Sequence, residues 1–80
     1  MERSKWESDR EKAVRHVIQG RGIVARQREC VERLARMGLD TIEAQRTLDL
    51  FTRTLDIFED DLRRILVGEK EQAAPRHGRP

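Results

Sequence analysis

From Ala44 to Ile65 the apolar side chains fall at Ala44, Leu48, Phe51, Leu55, Phe58, Leu62 and Ile65, with spacings that alternate four and three. That alternation is a heptad seam, the period at which one face of a long helix packs along another helix. Upstream, Val17, Val24 and Val31 form one line at seven-residue spacing, and Ala13, Gly20, Gln27 and Leu34 form the next. Each segment predicts a helix, and each supplies the apolar surface that the other needs to cover. The expected fold is all-α: an antiparallel two-helix hairpin of coiled-coil type.

The punctuation between the seams sets the boundaries. Ser8 with Glu11 reads as a capping box, in which side chain and backbone satisfy each other's free groups, so helix 1 is expected over about 8–37. Ser4 with Glu7 repeats the pattern, which makes 1–7 a frayed extension. Gly38 suits the left-handed residue that ends a helix, with Leu39 folding back on Leu34. Asp40 then caps helix 2, and Glu43 completes a second capping box. A joint of only 38–40 forces antiparallel neighbours. Helix 2 is expected over about 41–67, stopped by Gly68. The segment that follows, EKEQAAPRHGRP, has two prolines and no apolar period, so 68–80 reads as a disordered tail.

Folding the chain about Gly38 sets residues whose numbers sum to 78 or 79 side by side. Leu34 then meets Ala44, Val31 meets Leu48, Gln27 meets Phe51, Val24 meets Leu55, Gly20 meets Phe58, Val17 meets Leu62 and Ala13 meets Ile65. Gly20 costs about 1 kcal/mol relative to alanine inside a helix, and a ring opposite it gives a packing reason for that cost. Gln27 is the polar seam residue, a type that fixes register. Residues 1–37 carry ten basic and six acidic side chains and residues 38–67 carry four and seven, so the two helices attract. Arg21 and Arg28 are expected to face Asp56 and Asp49.

A lone hairpin leaves apolar residues uncovered. His16, Ile23, Cys30 and Met37 form a further line at heptad spacing on helix 1, and Leu50 and Ile57 do so on helix 2. A second copy of the hairpin covers both lines economically, giving a homodimeric four-helix bundle about a two-fold axis. A monomeric hairpin that docks another protein through the same lines is the competing reading. Eighty residues make outside help valuable, because a single core of that size barely outweighs the entropy lost on folding.

Composition removes several classes of function. Charged residues make up 40% and aromatics 4% of the chain, a balance that signals disorder when apolar residues are scattered and a long helix when they are periodic, as here. Cys30 is alone, which excludes an internal disulfide and suits a reducing cytoplasm. The charged start MERSKWESDREK is no signal peptide, and no apolar run approaches the roughly 20 residues of a membrane span. Two histidines, one cysteine and scattered carboxylates form no metal-ligand cluster, and Gly20-Arg21-Gly22 lacks the strand that precedes a phosphate loop. No catalytic, cofactor or metal residue is expected. Cys30, with Arg26 and Arg33 one turn away, reads as a small packing residue. Trp6 is either an exposed contact or a cover for the open bundle end.

The alternative to a protein-binding module is a small basic nucleic-acid-associated protein. From Lys12 to Arg28 there are five basic residues, Lys12, Arg15, Arg21, Arg26 and Arg28, and no acidic one, a stretch able to track phosphates. The overall charge of only +2 weighs against it.

One resemblance extends beyond general pattern. His16, Val17, Gly20, Arg26-Gln27-Arg28, Leu34, Gly38, Asp40-Thr41, Ala44, Leu48, Phe51, Thr54 and Leu55 together resemble the pattern of short helical-hairpin proteins of rhizobia and related alphaproteobacteria. The resemblance covers about fifty of the 80 residues. That group tends to carry histidine where this chain has Phe58, which makes Phe58 a packing substitution. The resemblance implies a bacterial, cytoplasmic protein and brings no established activity with it. The sequence as a whole therefore points to a non-catalytic helical interaction or oligomerisation module.

Overall fold

The structure, a computed structural model, describes residues 7–73, which form two α-helices, α1 (Asp9–Arg36) and α2 (Ile42–Ala73). Trp6 and the other residues of 1–6, and residues 74–80 of the expected tail, lie outside the described residues. The helices pack against each other in antiparallel fashion: Arg10 reaches Glu69, Arg21 reaches Glu59, and Gln27 reaches Ala44.

α1 begins at a complete capping box. The Ser8 hydroxyl accepts the Glu11 amide at 3.0 Å while the Glu11 carboxylate accepts the Ser8 amide at 2.9 Å. It ends in a Schellman turn, with Gly38 at φ +73°, its amide donating to the Ala35 carbonyl and the Leu39 amide to the Leu34 carbonyl. Only glycine adopts that φ without steric cost.

The start of α2 differs from the expected box. Asp40 Oδ1 accepts the Ile42 amide at 2.9 Å, and the Thr41 carbonyl accepts the first helical bond from Gln45. The helix therefore begins at Ile42, which makes Glu43 its second residue and Ala44 its third. Glu43 sits one position too early to reach back, and pairs with Arg46 at 3.4 Å instead.

The far end of α2 also corrects the sequence reading. Gly68 does not stop the helix, and residues 68–73, assigned to the tail, are helical to Ala73. Helical φ and ψ are open to glycine at a cost of about 1 kcal/mol, and Glu69, Lys70, Glu71, Gln72 and Ala73 are all strong helix formers.

Ala13, Val17, Gly20, Val24 and Leu48 are buried, and Gln27, Val31, Leu34, Ala44, Phe51, Leu55, Phe58, Leu62 and Ile65 are half-buried. The register differs from the simple fold-over. A Cβ on Gly20 would lie 3.1 Å from Leu55 Cδ1 and 3.5 Å from Phe58 Cδ2, so Gly20 faces the gap between the two with Leu55 nearer.

Gln27 likewise reaches past Phe51. Its amide donates to the Ala44 carbonyl at 3.0 Å, satisfying a polar group inside the seam. Alanine has too small a side chain to shield its carbonyl, whose second lone pair stays open inside the helix.

Candidate interaction surface

A two-helix hairpin has two edges flanking its seam, and here they differ in chemistry. One is bridged by charge over a smaller cavity of about 250 Å³. Arg21 donates through Nε and Nη2 to Glu59 Oε2, both at 3.2 Å, across Val17 and Leu62. The expected partners Asp56 and Asp49 are not used, because they lie one position further round α2 than the line of Thr52, Glu59 and Leu66 that borders the seam. Opposite Arg28 that line presents Thr52, whose hydroxyl donates to the Leu48 carbonyl. Asp49 accepts from Gln45 instead. Among the described residues Arg28 has no ion pair.

The other edge is open and apolar. His16, Gly20 and Ile23 of α1 and Leu50, Phe51, Thr54, Leu55 and Phe58 of α2 line a groove of about 430 Å³. The His16 and Phe58 rings meet with centroids 5.0 Å apart and planes tilted by 31°. Five of the six residues from the two uncovered lines stand as follows: His16 and Cys30 are half-buried, Met37 is 63% exposed, Leu50 56% and Ile57 64%. The sixth, Ile23, is 38% exposed and lines the groove beside Leu50. His16, Ile23 and Leu50 are thus brought together; Cys30, Met37 and Ile57 are not part of the groove lining. Phe51 and Phe58, expected wholly within the seam, also show part of their surface to the groove. The seam half-covers its rings because a single opposing helix cannot enclose them.

Two features were not signalled by the seam pattern. Val14 and Ile18, 36% and 64% exposed, form a patch on the outer face of α1 among Arg10, Glu11, Arg15 and Gln19; their four-residue spacing was the available clue. Glu7, preceding the cap, forms a two-bond pair with Arg15 at 2.8 and 2.9 Å. No helical spacing rule links residues eight apart. Glu11, the i,i+4 neighbour of Arg15, is committed to the capping box.

Arg15's hydrogen bonds hold the Glu7 carboxyl below the ordinary glutamate range, outweighing partial burial, and Glu7 in turn raises Arg15. The pair's contribution is therefore present above the usual carboxylate range and fades as pH falls through Glu7's lowered value. In an NMR titration Glu7 is expected to show the lower midpoint relative to free glutamate, and Arg15→Gln to return it to the ordinary range. An unchanged midpoint in that variant contradicts the pairing.

Of the five basic residues from Lys12 to Arg28, Arg15 and Arg21 are held in ion pairs, while Lys12, Arg26 and Arg28 have none among the described residues. No group of three or more histidine, cysteine, aspartate or glutamate residues is placed to hold a metal ion among the described residues, and no helix there is long and apolar enough to cross a membrane. Compared with protein-family models, curated proteins and solved structures, the chain matches none.

Proposed function

We propose that this chain is a non-catalytic helical interaction module whose partner is a second copy of itself. Two hairpins close groove to groove about a two-fold axis into a four-helix bundle. The observation that supports this most is the contrast between the two edges: one bridged by the Arg21–Glu59 ion pair, the other an uncharged groove over Phe51 and Phe58. Among the described residues only Ala13, Val17, Val24 and Leu48 of the apolar side chains are buried in the single hairpin. A second copy wide enough to cover Ile23 and Leu50 in the groove together with Met37 and Ile57 beside it removes apolar surface that is 38–64% exposed from water in both copies, against the cost of association. The opposite charges of the two helices favour α1 of one copy lying beside α2 of the other. The free thiol of Cys30 supports the reading of a reducing compartment such as the cytoplasm.

Sedimentation equilibrium over a range of concentrations tests the reading. A species of about 19 kDa, twice the 9.4 kDa chain, is expected. A well-folded monomer throughout the micromolar range contradicts it.

A further inference from the structure

We propose that self-association is gated by protonation of His16, the dimer closed at neutral pH opening as pH falls. The proposal rests on the reading that a second copy covers the groove. The groove wall at His16 is built from Gln19, Gly20 and Ile23 on its own helix and from Leu50, Thr54 and Phe58 among the residues of α2, none of them charged.

Four charged groups stand nearest this wall, and two of them are held in ion pairs. On α1, Lys12 stands one turn before His16, and Glu7 is held by both nitrogens of Arg15. On α2, Glu59 is turned to the opposite edge and held by Arg21, and Asp61 stands exposed one turn beyond Phe58. Among the described residues no carboxylate lies within ion-pair distance of His16. A second copy placed groove to groove brings the same uncharged wall against it.

In the open hairpin, water solvates a charged imidazole. Beneath a second apolar copy that water is lost and no counter-charge replaces it, so the covered state disfavours the proton. The attraction of an imidazolium for the Phe58 ring exists in monomer and dimer alike and strengthens when water is removed, so it offsets part of the penalty without supplying a counter-charge. Two monomers therefore bind more protons than one dimer wherever histidine titrates, and falling pH drives dissociation. Two sites per dimer set a limit of about a hundredfold in Kd per pH unit.

The test is sedimentation equilibrium at pH 7.5, 6.5 and 5.5 and constant ionic strength, on the wild-type chain and on His16→Leu, His16→Gln and His77→Gln, with helicity monitored by circular dichroism. The wild type and His77→Gln are expected to lose at least about tenfold in affinity between pH 7.5 and 5.5. Whichever of the two His16 variants keeps its helicity is expected to change less than about twofold. Wild-type pH dependence persisting in a folded His16 variant overturns the gating, as does a wild-type dimer that is indifferent to pH. A wild type already monomeric at pH 7.5 overturns the dimer itself and the gating with it.

Discussion

Leu50→Asp combined with Ile57→Asp is expected to give a monomer of 9.4 kDa with its helices intact. In the single hairpin both side chains are more than half exposed, so aspartate there costs little beyond about 0.5 kcal/mol of helix propensity at each position. In the bundle the same substitutions bury four carboxylates per dimer without partners, and each unpaired buried charge costs several kcal/mol. Association should weaken more than a thousandfold while the hairpin survives. Sedimentation and circular dichroism together check this. A dimer of wild-type strength refutes the assignment of these residues to the interface. Collapse of the helical signal instead shows that Leu50 and Ile57 stabilise the hairpin itself.

The second large effect concerns the seam. Gly20→Val is expected to destabilise the protein by about 2 kcal/mol, the scale for overpacking a close contact. A Cβ alone already approaches Leu55 Cδ1 to 3.1 Å, tighter than ordinary van der Waals contact, and valine adds two methyl groups beside it. Gly20→Ala is a milder case, in which about 1 kcal/mol of helix propensity offsets the shift asked of a flexible leucine end. The diagnostic variant is Gly20→Val with Leu55→Ala. If Gly20 faces Leu55, the double variant loses less than the sum of the two single losses. Urea denaturation at one fixed protein concentration measures all of these, since the stability of an associating chain depends on concentration. Strict additivity contradicts the contact.

The heptad positions contain most of the hairpin's architecture, because one apolar stripe on each of two helices admits few arrangements once a short joint makes them antiparallel. Ser8, Glu11 and Gly38 were legible for the same reason: each meets a backbone need that few residue types satisfy. The pairing of Arg21 was not legible. It depends on how far α2 is rotated about its axis against α1, and the spacings along the chain do not contain that quantity. Gly68 misled because glycine weakens a helix without ending it, and the run from Glu69 to Ala73 carries the helix on. The apolar groove was legible only as two uncovered lines. That His16, Ile23 and Leu50 share one wall, while Ile57 and Met37 stand apart from it, follows from the packing angle between the helices.

The most direct measurement is an isotope-filtered NOE experiment on a sample mixing labelled and unlabelled chains, read at the methyl groups of Ile23, Leu50 and Ile57. A groove covered by a second copy predicts intermolecular NOEs from Ile23 and Leu50 to apolar side chains of the other chain, with the Arg21 and Glu59 edge silent. Intermolecular NOEs confined to that charged edge, or none in a sample shown to be folded, contradict it.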